Sequence, residues 1–364
     1  MKNTHSDLKT YIDLHQLIEE YRGTHEENRT FGLLHQKLLS SPVELLNQWV
    51  EAHRHRLPHP PLSERLGRIL SGATLLLLIV AFFLGIFSGI TLLRYNGNEP
   101  VNLLYFLGAV FFLPLLTIAM ALLAMLRANR AGSMLTHLSP AYWMERIFIF
   151  FTDKNHEINY RVAINPLITN WIIIRRSQEF ALAFSLGLFL ALMGIVASQD
   201  IAFSWSTTLQ VTPEAFHQFI LMLALPWEAV LPQAVPSLEL IEQSHYFRLG
   251  GRLNSEMIKN AALLGEWWKF LLMTTLVYAL FLRFILFILA SLGLKSALKR
   301  AILLIGGVRD LLREMEEPLI QSEASAVEKE FEPEKFIGGS IVASVQKAYS
   351  FTIGWAFDEA TILL

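Results

Sequence analysis

Residues Trp267–Leu294 constrain the fold of this chain more than any other stretch. Past Lys269, near their start, they hold a single charge, Arg283, in an otherwise apolar or weakly polar run. About 20 such residues in a helix cross a hydrocarbon core of roughly 30 Å. Inside lipid every backbone N–H and C=O needs an internal partner, so a run of this kind reads as a transmembrane helix. Three further blocks share the pattern, about Gly72–Leu93, Val101–Leu126 and Phe180–Ser198. The composition agrees: 53% of the residues are hydrophobic and the mean hydropathy is +0.41, against roughly 45 to 50% apolar residues in soluble domains. The expected fold is mainly α, a polytopic membrane protein of four transmembrane helices.

Basic loops stay on the cytoplasmic side of a membrane. Residues 49–68 carry Arg54, Arg56, Arg65 and Arg68; residues 127–176 carry seven Lys or Arg, and residues 295–313 carry five. The opposite side has Arg94, Arg248, Arg252 and Lys259. Both termini are therefore expected in the cytoplasm, and the net charge of -2 hides this asymmetry. The N-terminus, MKNTHSDLKTYIDLHQLIEEY, is polar where a signal peptide has its apolar core. With no cysteine there is no disulfide framework, thiolate metal site or cysteine nucleophile.

The expected organisation is a cytosolic helical region at 1–68, a transmembrane hairpin at 69–127 and a cytosolic amphipathic loop at 128–176. A third span follows at 177–198, an outer proline-rich cap with a short interfacial helix at 199–264, and the fourth span at 265–294. Residues 295–364 make a cytosolic stalk, an acidic linker and the start of a small α/β region. Apolar residues at helical spacing over 1–50 predict two or three short helices, with Ser40, Ser41 and Pro42 starting the last. His53, His55 and His59 lie close in a proline-rich connector, but nothing nearby completes a metal geometry. Ser139 and Pro140 open an aromatic helix, AYWMERIFIFF, suited to the membrane interface or to packing on the N-terminal helices.

Gly85 and Gly89, and Gly187 and Gly194, predict close helix contacts. Pro114 removes one backbone donor, frees the carbonyl of Val110 and predicts a kink. Trp205, Trp227, Trp267 and Trp268 are candidate interface anchors on the outer side, because indoles favour the headgroup level. Arg175, Arg176, Lys295, Lys299 and Arg300 mark the inner flank. Beyond the fourth span, Leu294, Leu298, Ala301, Ile305, Val308, Leu312 and Met315 form a three-heptad seam. It continues the helix as a stalk, as an oligomeric coiled coil or docked on the N-terminal helices. Residues 314–335 hold eight glutamates and two lysines around Pro318 and Pro333, a flexible acidic linker.

The stretches YNGNEPVNLLYFL (95–107), DIAFSWSTTLQVTPEAFH (200–217), LPWEAVLPQAVPS (225–237) and GEWWKFLL (265–272), with the later Arg283, resemble a bacterial inner-membrane family known as domain of unknown function 2868. The resemblance implies a multi-pass protein of the bacterial inner membrane that partners a cytosolic GTPase. It implies further sequence past this C-terminus. Proline often precedes the arginine in that pattern, whereas Leu282 stands here.

No catalytic constellation is present. There is no Gly-x-x-x-x-Gly-Lys-Ser/Thr loop to cradle phosphates, no His-Glu-x-x-His, no Gly-x-Ser-x-Gly, and no basic and aromatic run that would track nucleic acid. No enzyme activity and no cofactor are expected. Arg283 is the one expensive residue, because an intramembrane charge marks a functional candidate. Its expected acceptors are freed carbonyls, that of Val110 first, or water in a cavity, with inward snorkelling as the competing reading. Two functions are open: a homo-oligomeric scaffold or anchor for a cytosolic GTPase; or a channel or transporter component with a path near Arg283 and the outer proline-rich segment.

Overall fold

The computed structural model describes residues 2–95, 100–129, 165–209, 211–245 and 261–316. The expected helix after Pro140, the acidic linker beyond Glu316 and the small α/β region lie outside the described residues; the first three linker residues, 314–316, are helical instead. Helices α1 (Lys2–Glu20), α2 (His25–Leu34) and α3 (Pro42–His53) come first. At the start of α2 a reciprocal capping box satisfies two end donors: Glu27 N–H donates to Thr24 Oγ1 at 3.2 Å, and Thr24 N–H donates to Glu27 Oε2 at 3.0 Å. Pro42 occupies the first turn of α3, where a missing N–H costs nothing.

Four long apolar helices follow: α4 (Leu62–Leu92), α5 (Leu103–Ala128), α6 (Pro166–Ser198) and, later, α9 (Leu263–Leu303). Each is long and apolar enough to cross a membrane. They begin or end beyond the apolar blocks, α4 at Leu62 and α6 at Pro166, where Pro61 and Asn165 precede the first turn. Composition shows where lipid contact lies, while caps decide where the helix starts. Large side chains such as Leu75, Leu76, Phe83, Phe87, Leu116, Met120 and Leu292 point outward along these helices. That pattern suits a bilayer as solvent.

Glycines bring α4 and α6 into backbone contact. A Cβ at Gly85 would sit 2.1 Å from the Phe184 carbonyl oxygen, and one at Gly187 would sit 2.2 Å from that of Phe82. Gly194 meets nothing within 4 Å, so its expected contact is not made among the described residues.

Buried side chains gather at the two ends. At one end α1 and α3 pack on the feet of α4 and α6 and on the last turns of α9. At the other end, β1 (Val101–Asn102) pairs in parallel with β2 (Phe203–Ser204), and α7 (Pro213–Ala224) and α8 (Leu238–Gln243) close over the start of α9. We call these ends the platform and the cap.

The heptad seam does not continue as one helix. α9 stops at Leu303, the chain turns through Gly307 at a positive φ of 86°, and α10 (Val308–Glu316) starts afresh. A left-handed backbone is open to glycine without a Cβ penalty. Seam residues Leu294, Leu298, Ala301, Val308 and Met315 are buried in the same core as Leu14, Leu17 and Trp49, so the seam docks within this chain. α10 crosses α2 closely: a Cβ on Gly32 would meet the Met315 carbonyl oxygen at 2.1 Å. The fully buried Asn28 fastens the crossing. It donates to Glu314 Oε2 at 2.8 Å and to the Arg22 carbonyl at 3.1 Å, and accepts from Trp49 Nε1 at 3.0 Å.

Candidate functional site

The expected interface anchors are placed first by burial. Trp205, Trp227 and Trp267 are buried in the cap core and Trp268 is half-buried against it. Trp205 stacks between Phe216 and His245, at centroid distances of 4.3 and 4.1 Å, and its indole donates to the Ile241 carbonyl at 2.8 Å. The indole N–H groups of Trp227 and Trp267 find no acceptor among the described residues, so what the three share is burial in the cap core and not a carbonyl partner. On the platform side, Lys295 is half-buried and Lys299 and Arg300 are exposed. The imidazoles of His53 and His55 each bond a backbone carbonyl of their own turn, of Trp49 and Ala52, and among the described residues no cluster of three His, Cys, Asp or Glu could hold a metal.

Arg283 lies in α9, 6% exposed. One turn earlier the helix widens to π geometry over Thr275–Phe281, and α5 does the same over Gly108–Phe112, just before Pro114. The two π stretches pack against each other, with Phe111 edge-on to Tyr278 at 4.8 Å. Pro114 is thus accommodated by a widened turn in which Leu113 N–H reaches back to the Gly108 carbonyl. Such π segments recur at functional sites.

Arg283 Nη2 donates to Thr117 Oγ1 at 2.5 Å. The Thr117 hydroxyl is directed at the carbonyls of Leu113 and Pro114, both at 2.9 Å. The expected acceptor, the Val110 carbonyl, is not used. The reason is register. Phe111 faces Tyr278 and Thr117 faces Arg283, nearly the same sequence offset, so α5 and α9 run parallel and Thr117 is level with Arg283. The guanidinium therefore reaches sideways to a neighbouring helix at its own depth rather than snorkelling inward. Leaving such a charge without an acceptor costs about 2.5 to 3.5 kcal/mol on insertion scales.

Glu179 is the cluster residue that the apolar blocks concealed. It stands one position before the expected third span, yet α6 carries it into the bundle. Its Oε1 pairs with Arg175 Nη2 at 3.1 Å and its Oε2 with Arg176 Nη1 at 2.5 Å. Arg175 is buried, and its guanidinium lies 5.4 Å from the centroid of the Phe287 ring on α9. Further along, the Trp171 ring fills the space beside Gly293. These contacts make α6 and α9 antiparallel and put Glu179 at the depth of Arg283. The arrangement with Glu four positions after Arg was visible in the sequence; its depth was not. Arg175 and Arg176 are thus parts of this cluster and not merely a boundary mark.

The fold and this cluster define a multi-pass membrane protein whose four long apolar helices bury an arginine-rich polar layer between a helical platform and a folded cap. The family model described as protein of unknown function (DUF2868) matches residues 158–349, and the chain belongs to that family. No curated protein and no solved structure matches it.

Proposed function

We propose that the protein is an anchor in a bacterial inner membrane whose platform faces the cytoplasm and recruits a soluble partner, most simply the GTPase that the family resemblance implies. The observation that carries this reading is a groove of about 670 Å³ on the platform. Leu303, Leu304 and Leu312 floor it, and Arg300, Arg309 and Arg313 rim it. Leu304 is 61% exposed there. An apolar floor whose rim holds three arginines against the single acid Glu316 suits a partner segment with apolar and mainly acidic faces, the charges steering encounter and the floor holding it. The excess of Lys and Arg at this end supports its cytoplasmic placement. Assembly of several copies is part of the proposal, through the outward small-residue and apolar helix faces.

Co-purification from native membranes, with and without GTP, tests the reading. A soluble GTPase recovered with the wild type, and lost when Arg309 and Arg313 are both changed to Glu, is the expected result. Failure to recover any soluble partner counts against it.

The paired π stretches and the buried arginines favour a second reading, a channel or transport component with its path beside Arg283. Flux of ions or small solutes in liposomes holding the purified protein tests it, and an absence of flux removes it.

A further inference from the structure

Among the described residues of the spanning region, three guanidinium groups stand against one carboxylate. Glu179 is engaged by both Arg175 and Arg176, while Arg283 has, among the described residues, only the neutral hydroxyl of Thr117. The Nε atoms of Arg283 and Arg175 are buried without an acceptor. No other Asp or Glu occurs in residues 72–93, 101–126, 180–198 or 270–294. The spans of a second copy therefore bring no free carboxylate to this depth, since its own Glu179 is occupied in the same way. Arg175 lies level with Phe287, one helical turn from Arg283, so the two buried guanidiniums are offset by about 6 Å along the bundle. Arg176 is more exposed, its side chain at 24%.

We propose that this excess of buried positive charge binds one phosphate-type oxyanion, bridging Arg283 and Arg175. Its source is either an anionic lipid headgroup drawn in from the platform-side leaflet past Arg176 or free inorganic phosphate. Guanidinium donors form a planar fork that matches oxyanions, and pairs of this kind are shorter and stronger than neutral hydrogen bonds. A ligand bound only by the folded bundle stabilises it by mass action. The proposal stands apart from the docking reading, because a chain that recruits no partner still has this charge to balance.

The test is thermal unfolding of the purified full chain in a neutral detergent, in two arms. One titrates inorganic phosphate against chloride at constant ionic strength; the other titrates solubilised phosphatidylglycerol against phosphatidylcholine. The expected result is a saturable rise in Tm in one arm, which names the source, and its loss in Arg283→Gln with partial retention in Arg283→Lys. Glu179→Gln is the second variant. It removes the competing carboxylate and should tighten binding several-fold, a gain that misfolding cannot imitate. No saturable shift in either arm, or an equal shift in Arg283→Gln, overturns the proposal, as does weaker or unchanged binding in Glu179→Gln.

Discussion

A guanidinium in hydrocarbon is retained only where something accepts from it, and for Arg283 that acceptor is one threonine hydroxyl. Thr117→Val keeps the volume and removes the oxygen, leaving the charge without its partner. The expected cost is about 1.5 to 3 kcal/mol, read as a lower unfolding midpoint in detergent, with Thr117→Ser close to wild type. A different balance holds at Asp13, which is buried on α1 beside Arg54, at 3.8 Å, and near Ser63. Burial pushes its carboxyl above the ordinary carboxylate value, and the Ser63 hydroxyl and the Arg54 charge pull part of that back. A raised carboxylate pKa means that ionisation opposes folding: the penalty is full above the raised pKa and is lost as pH falls from there to the ordinary carboxylate value. Asp13→Asn should therefore match or exceed wild-type stability at pH 8, and the difference should close as pH is lowered below the carboxyl's titration. A variant that is much less stable at pH 8 would show that pairing with Arg54 outweighs burial. Glu27 has the opposite sign. The Thr24 N–H and the Tyr21 hydroxyl lower its pKa to about 2, so its stabilising effect is present above the ordinary glutamate range and fades as pH falls toward 2.

Among the elements, α4 and α6 have the least room for change. A leucine at Gly187 would drive its Cβ into the Phe82 carbonyl, and overpacking of this kind typically costs 1 to 3 kcal/mol or more. Gly187→Leu is expected to abolish a monodisperse peak in size-exclusion chromatography, whereas Gly194→Ala, in open space, should leave it unchanged. The two glycines look alike in the sequence, and only the partner helix separates them. The helix-start signal at Pro42 was legible because it is local. The end of α9 was half legible. Gly306 and Gly307 weaken a helix wherever they occur, but the return of α10 onto α2 depends on Asn28, Gly32 and Glu314, which lie far apart in the chain.

On the scale of the whole molecule, buried side chains gather in two cores, at the platform and at the cap, and the helices between them expose their apolar faces. The absence of cysteine makes the proposed orientation directly measurable. Gln36 on the platform and Thr207 in the cap are both exposed. A membrane-impermeant maleimide should label Thr207→Cys in intact spheroplasts and Gln36→Cys only after permeabilisation. The reverse pattern would turn the platform outward and end the cytosolic-partner reading.

The sequence by itself determined the membrane class, four apolar helices, the family and Arg283 as the costly residue, because hydropathy and local motifs are properties of contiguous residues. Tertiary structure alone decided that the cap tryptophans are core, that the seam folds back, and that Glu179 stands level with Arg283. Each of these depends on the register between helices distant in sequence. Hydropathy carries no information about that register, because a lipid-facing leucine and a helix-facing one count alike.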